Sequence, residues 1–161
     1  MDILQPEKLG EPADGIALYR VPRNLILKLR HEVLGKGRAP DEAIFSCDDD
    51  LTTFHLALMF LPLVETSSVV CCASFIQKPL ESLPAWQLRG MATNTEHQGK
   101  GFGRILLTGA EKILIDLSPI RLLWCNARVK AVPFYQKLGW EIISDVFEKT
   151  AGPHRQMKKK L

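Results

Sequence analysis

The stretch that decides the fold is His97-Gln98-Gly99-Lys100-Gly101-Phe102-Gly103-Arg104. It joins a β-rich segment ending near Thr93 to an apolar-striped segment beginning near Gly103. Three glycines in five positions allow a tight turn with no Cβ in the way. The N–H groups that open the following helix have no intrahelical partner. With the helix dipole they form an anion site, for which a phosphate is the natural occupant. Lys100 and Arg104 add positive charge beside it. The same residues would also serve a turn that merely reverses the chain.

Elements follow on both sides. Upstream, Ile16 to Val21 reads as a strand closed by Pro22, and Asn24 as the cap of a helix from Leu25 to about Leu34. Leu25, Leu29 and Val33 share one face of that helix, which Gly35 and Gly37 stop. Arg38 to Asp50 reads as a polar loop in which Asp48-Asp49-Asp50 is a solvated turn. Leu51 to Leu61 alternates, with Phe54, Leu56, Leu58 and Phe60 on one face. Val69 to Ile76 is a second β-rich run, joined to it as a hairpin by Pro62 to Ser68, and Trp86 to Thr93 is a third.

Downstream, the helix runs to about Leu117 with Leu106, Ala110, Ile113 and Leu117 on one stripe. Arg121 to Asn126 is a strand, and Val129 to Leu138 a short helix ended by Gly139. Trp140 to Ile143 and Gln156 to Lys159 form a closing strand pair. The order describes a mixed α/β domain, and no linker or repeat divides residues 1–161.

Composition narrows the classes further. The 161 residues carry 21 Lys+Arg against 18 Asp+Glu, a net charge of +3, with 46% hydrophobic and 24% charged residues. That is too apolar for a disordered chain and too weakly basic to imply nucleic acid. Lys158, Lys159 and Lys160 contribute to the excess and read as a solvated terminus. The most apolar stretch, Leu56 to Val64, is interrupted by Pro62 and falls far short of the roughly 20 residues a bilayer requires. The N-terminus has acids where a secretory signal needs basic residues. Cys47, Cys71, Cys72 and Cys125 include no C-x-x-C pair and read as reduced thiols, so a cytoplasmic protein without a metal site or membrane contact is expected.

Neither nucleotide signature fits. The Walker pattern is absent, and the spacing Gly99, Gly101, Gly103 is not the Rossmann fingerprint. Gln98-x-x-Gly101-x-Gly103 instead resembles the Gln/Arg-x-x-Gly-x-Gly/Ala signature of the GNAT N-acetyltransferases. Ala131-Val132-Pro133-Phe134-Tyr135-Gln136-Lys137-Leu138-Gly139-Trp140 is similar to that family's Ala-x-x-Phe-Tyr-x-Lys-x-Gly-Phe segment. Leu88 to Thr93 sits where the family has its fourth strand, and Gly152 to Lys159 looks like a family C-terminus.

The resemblance implies the GNAT acyl-CoA N-acyltransferase fold: a mixed sheet flanked by helices, with the family's fourth and fifth strands splayed apart. It implies acetyl-CoA as donor and an amine of a small molecule or peptide as acceptor. The backbone of Gln98, Gly99, Lys100, Gly101, Phe102, Gly103 and Arg104 would hold the pyrophosphate. The backbone of Met91, Ala92 and Thr93 would hold the pantetheine arm and acetyl group, with the Met91 N–H polarising the thioester carbonyl. Tyr135 stands at the general-acid position, and an ordinary phenol with a pKa of about 10 can protonate a departing thiolate. The same motif adds Phe134 and Lys137 to the cofactor set, with Lys137 reading equally as a solvated lysine.

The sequence departs from the pattern in places. Arg128 stands where many members have the cofactor-binding Asn, so the resemblance implies a cofactor contact that Arg128 would make through its charge, and Asn126 lies two residues earlier. The strand at Trp86–Thr93 offers Gln87 and Arg89 but no carboxylate to act as base, so His31, Glu32 and His55 are the candidates, or a water relay to a neutral amine. Family members often dimerise near the C-terminus, so a homodimer is one state the resemblance implies. Two competing readings are a GNAT-like module that binds acyl-CoA without turnover, and a small interaction protein whose basic tail meets nucleic acid. The second lacks a basic stripe interleaved with aromatics.

Overall fold

The computed structural model describes residues 5–35, 37–63 and 69–161. Strands β1 (Glu7–Ala13), β2 (Ile16–Val21), β3 (Phe54–Phe60), β4 (Val69–Gln77), β5 (Trp86–Thr93), β6 (Leu122–Arg128), β7 (Glu141–Ile142), β8 (Phe147–Lys149) and β9 (Gly152–Lys160) form one sheet. The helices are α1 (Asn24–Leu34), α2 (Phe102–Leu117) and α3 (Val132–Lys137). The sheet order is β1-β2-β3-β4-β5-β6-β9-β7, with β8 also on β9. Among the described residues only the β5–β6 pair is parallel, and α2 makes the crossover between them. The mixed sheet and flanking helices are those of the GNAT fold.

Strand alternation sends side chains to both faces, and each face has its own helical cover. Ile16, Leu18, Phe54, Leu56, Leu58, Phe75 and Leu88 pack with Leu106, Leu107, Ala110 and Leu114 of α2 and Tyr135 of α3. Ala17, Tyr19, Val21, Ala57, Met59, Cys72 and Ala92 pack with Ile26 and Leu29 of α1. Residues β2 and β3 contribute to both sides, so a one-residue slip would turn each face inside out.

Several boundaries differ from the sequence expectation for identifiable reasons. β1 had no hydrophobic signal: its seven residues EKLGEPA form a mostly exposed edge strand with two register irregularities against β2. β3 begins at Phe54, because Leu51 is 95% exposed on the preceding turn. The loop proposed over Pro62 to Ser68 lies largely outside the described residues.

On α1, Arg23 holds the cap position with no side-chain capping bond and Asn24 is already helical. Its buried residues are Ile26, Leu29 and Arg30, so Leu25 faces solvent. On α2 the buried stripe is Gly103, Leu106, Leu107, Ala110 and Leu114, leaving Leu117 exposed. The α3 helix follows a 3-10 turn at Val129–Ala131, with Pro133 in its first turn, where a missing N–H costs nothing.

The terminal lysines are not a loose tail. Lys158, Lys159 and Lys160 belong to β9 and pair with Trp124, Leu123 and Leu122 of β6. Lys159 Nζ donates to both carboxylate oxygens of Glu111, at 2.7 and 2.8 Å, which ties α2 to the sheet. Among the described residues no helix is long and apolar enough to cross a membrane, and no cluster of His, Cys, Asp and Glu forms a metal site.

Candidate active site

The site starts where β5 and β6 part. Their pairing runs Trp86↔Leu123, Gln87↔Trp124 and Leu88↔Cys125, then stops. Beyond it, β5 stays on β4 and β6 stays on β9, leaving a wedge between Arg89–Thr93 and Asn126–Arg128. The expected splay of the family's fourth and fifth strands is thus β5 and β6 here.

A bulge in β5 widens the wedge. Cys72 opposes Ala92 and Ser74 opposes Arg89, so Gly90 and Met91 together face the single residue Ala73. Gly90 takes φ +59, the left-handed region that disfavours other residues. A Cβ there would lie 2.7 Å from Arg30 Nε and 2.8 Å from Phe45 Cε2. The bulge therefore needs glycine twice over, for its dihedral and for the groups packed on it.

What packs on Gly90 is a buried polar cluster. Arg30 is fully buried, and its guanidinium donates to Asp48 Oδ2 at 2.6 Å, to the Ala43 carbonyl at 2.9 Å and to Ser74 Oγ at 2.5 Å. It also lies 4.4 Å from the centre of the Phe45 ring. Asp48 Oδ2 accepts from the Phe45 N–H as well, at 2.8 Å. Asp48 is thus a buried ion-pair partner rather than part of a solvated turn, while Asp49 pairs with Arg23 at the surface. His55, read as a candidate base, instead sits behind this cluster with Nδ1 2.7 Å from Ser74 Oγ. Burial lowers its pKa below the usual 6.5, and the charge of Asp48 only partly offsets that.

The wedge opens into a cleft of about 690 Å³ between α1, the loop after it, β5, β6 and the β8–β9 turn. Met91, Gln98, Arg128 and Tyr135 line it, as do Gln87, Arg89 and Glu32. Tyr135 is 7% exposed, edge-on to Phe134 and Trp140, and its hydroxyl is 3.7 Å from Met91 Sδ. Burial raises its pKa well above 10. Arg128 Nη2 donates to the Leu34 carbonyl at 2.7 Å, at the C-terminal end of α1. Arg38 donates to the same carbonyl at 2.8 Å. Desolvation, then the charge of Arg38, lowers the Arg128 pKa.

At the other end of β5 lies the Gly-rich turn. Thr93 is fastened by its Oγ1, 3.2 Å from Cys71 Sγ, and its carbonyl accepts from Gln98 Nε2 at 3.1 Å. Ala92 is buried on the α1 face. Gly99 and Gly101 take φ +76 and +85, and nothing lies within 4 Å of where a Cβ would stand. Their dihedrals, not crowding, require glycine. The first helical bond of α2 runs from the Ile105 N–H to the Gly101 carbonyl at 3.1 Å. The N–H groups of Phe102, Gly103 and Arg104 are thus left over at the start of a sixteen-residue helix.

Gly103 is closed in by Met91 Cε and Phe134 Cζ, both 3.1 Å from its would-be Cβ. That contact binds the turn, β5 and α3 into one unit. Lys100 and Arg104 are exposed beside it. Lys137 is exposed and does not line the cleft.

These residues fit an acyl-CoA. A dipole end with free N–H groups and flanking cations suits a pyrophosphate, and a parted strand pair suits an extended arm. Among the candidate bases, Glu32 reaches the cleft; His31 does not, because Nε2 is 2.8 Å from the Arg38 carbonyl. The Arg30–Asp48–Ser74 cluster was not foreseen. Its signal in the sequence was an arginine on the apolar face of α1.

The comparisons with known proteins agree with this geometry. The family described as Acetyltransferase (GNAT) domain matches residues 60–161. The uncharacterized N-acetyltransferase YitI of Bacillus subtilis (strain 168) is 30% identical over 124 residues, covering 75% of this chain and 79% of YitI. A proposed N-acetyltransferase from Lactobacillus plantarum superposes with a TM-score of 0.75 at 19% identity, over 92% of this chain and 99% of that one. An aminoglycoside 6'-N-acetyltransferase complexed with coenzyme A superposes with a TM-score of 0.66 at 15% identity, over 89% of this chain and 96% of that one. The chain belongs to the GNAT acetyltransferase family. Membership carries acyl-CoA-dependent acetyl transfer, with acetyl-CoA as donor, at the level of the family.

Proposed function

We propose that this protein transfers an acetyl group from acetyl-CoA to a primary amine of a small molecule or peptide by direct attack. The observation that carries the reading is the position of Tyr135. Its hydroxyl lies beside Met91, past the point where β5 and β6 part, and it lines the cleft.

When bound, acetyl-CoA supplies an activated thioester carbonyl. The leftover N–H groups of Phe102, Gly103 and Arg104 would hold its pyrophosphate, with Lys100 and Arg104 beside them. The backbone of Met91, Ala92 and Thr93 would guide the pantetheine arm, and the Met91 N–H on the bulge would donate to the carbonyl oxygen. As the acceptor nitrogen forms its bond to the acetyl carbon, the C–S bond breaks. One proton leaves the nitrogen and one ends on the sulfur.

Tyr135 is the group placed to supply the second proton. Burial keeps the phenol protonated far into alkaline pH. It would be a poor acid toward a solvated thiolate, but a thiolate in the same dry pocket is raised too. The neighbouring Cys71 thiol shows the effect, pushed up to about 11 by burial. Burial therefore shifts donor and leaving group in the same direction. β5 carries no carboxylate, so attack by an already neutral amine with water carrying off its proton is the simplest route.

Tyr135→Phe tests this. It should lower kcat about 100-fold, the lower range for loss of a general acid, while the affinity for acetyl-CoA holds. Unchanged turnover removes the acid role. No thermal shift with acetyl-CoA at saturation removes cofactor binding altogether. The four free thiols support a reducing compartment, and the cytoplasm is the location we propose. A homodimer is the assembly we propose from family habit, to be read by light scattering.

A further inference from the structure

The part of the cleft away from the phosphate turn has an unbalanced charge. Along β5 the order is fixed: Thr93 next to the turn, Met91 at the acetyl position, then Arg89 and Gln87. At about 3.3 Å per residue, Arg89 lies roughly 13 Å from Thr93, on the far side of Met91 from the pyrophosphate site. Arg38, Arg89, Arg128 and Lys149 line the cleft against Glu32 and Glu42, and Glu42 already faces Arg38 at 3.6 Å. Among the described residues, Arg89, Arg128 and Lys149 make no ion pair.

Arg89 is also held ready. Its guanidinium lies 4.7 Å from the Phe45 ring centre, and Nη1 donates to Cys47 Sγ at 3.0 Å. Phe45 is itself fixed by the buried Arg30 on the same ring. Lys149 stands close enough to Arg89 that, after desolvation, the Arg89 and Lys78 charges lower its pKa. Two neighbouring cations that no carboxylate pairs, Arg89 and Lys149, are the signature of a site that an anion completes. A second signal is Gln87, 4% exposed at the cleft floor, whose carboxamide oxygen has no partner. A buried acceptor oxygen left bare is costly unless a donor arrives, and a polar group on the part of the acceptor that extends past Arg89 would be one.

We infer that the acceptor is an amine that also carries a carboxylate, of the α-amino-acid class, with the carboxylate on Arg89 and Lys149 and the amine directed toward Met91. A guanidinium fork matches a carboxylate with two parallel bonds. Arg89 and Met91 are two residues apart on one strand, which suits an amine and a carboxylate only a few bonds apart. A polycation such as spermidine meets the wrong charge in this cleft. The inference rests on the acetyl-transfer reading above and adds the acceptor class to it.

The test is a matched panel: α-amino acids, the same compounds as carboxamides, and spermidine, with release of free CoA as the readout. The carboxylate forms should exceed their carboxamides by about 10- to 100-fold in kcat/KM, the range for one hydrogen bond to a charged group. Arg89→Gln should erase that difference through the acceptor KM while the acetyl-CoA KM stays unchanged. Lys149→Gln should do the same to a smaller extent. Carboxamides or spermidine used equally well would overturn the inference, as would a rise in the acetyl-CoA KM on Arg89→Gln. A protein that binds acetyl-CoA yet acetylates no carboxylate-bearing amine also overturns it, with the cofactor reading intact. Failure to bind acetyl-CoA at all overturns both.

Discussion

Replacing Gly90 with alanine adds one methyl group at the point where fold and chemistry meet. That carbon would sit 2.7 Å from Arg30 Nε, 2.8 Å from Phe45 Cε2 and 3.1 Å from the Arg30 guanidinium carbon. Arg30 cannot swing aside, because it is fully buried and held by Asp48, Ala43 and Ser74. Overpacking at such a site costs about 1–3 kcal/mol. The φ of +59 adds about 1 kcal/mol for a residue with a Cβ. The sum, about 2–4 kcal/mol, should lower Tm by roughly 5–15 °C in a chain of this size. Gly99→Ala is the control: its φ is +76, yet nothing stands within 4 Å, so only the dihedral cost of about 1 kcal/mol applies. Scanning calorimetry of both variants against the parent separates crowding from strain. Equal melting temperatures for Gly90→Ala and Gly99→Ala would refute the claim that the buried Arg30–Phe45 pair demands this glycine. Turnover should fall with Gly90→Ala as well, since the bulge presents the Met91 amide.

Three further outcomes follow from the structure. Gly101→Glu should abolish acetyl-CoA binding, measured by titration calorimetry, because it sets a negative charge at the helix end and forces φ +85 on a residue with a Cβ. Burial disfavours the charged form of His55 in the fold, so the unfolded chain, with an ordinary value near 6.5, binds the proton more readily as pH falls below it. Stability should therefore drop from pH 7 toward pH 5, and His55→Gln should flatten that part of the melting profile; an identical slope in the variant would discard the assignment. Iodoacetamide at pH 8 should label Cys47 first, because Cys71 and Cys72 are buried with pKa values pushed up to about 11 and 12. Peptide mass mapping decides it, and early labelling of Cys72 would contradict the packing.

Much of the site could be read in the sequence because local geometry governs it. The turn at 97–104 needs left-handed residues at Gly99 and Gly101 and leaves N–H groups at a helix start, and both follow from chain chemistry alone. Tyr135 and Phe134 were legible through their motif. Strands with period two were legible where one face is apolar, as in β3 from Phe54 to Leu58, whereas the helix faces were read a position off, with Leu25 and Leu117 exposed. β1 was not, because an exposed edge strand needs no apolar face and only its partner β2 makes it a strand. The lysines of β9 looked like a tail for the same reason: their order comes from β6 and Glu111.

Hydrophobic period and turn chemistry were enough to name most of the elements and the Gly-rich turn at a helix start, since both act over a few residues. Tertiary packing alone decided which polar groups meet and which are buried. It brought Arg30, Asp48, Ser74 and His55 together from four distant segments and stacked Arg89 over Phe45. It also left Gln87 without a partner at the cleft floor. Desolvation sets the value of a charge or a hydrogen bond, and burial is a property of the assembled sheet and helices rather than of any short run of residues.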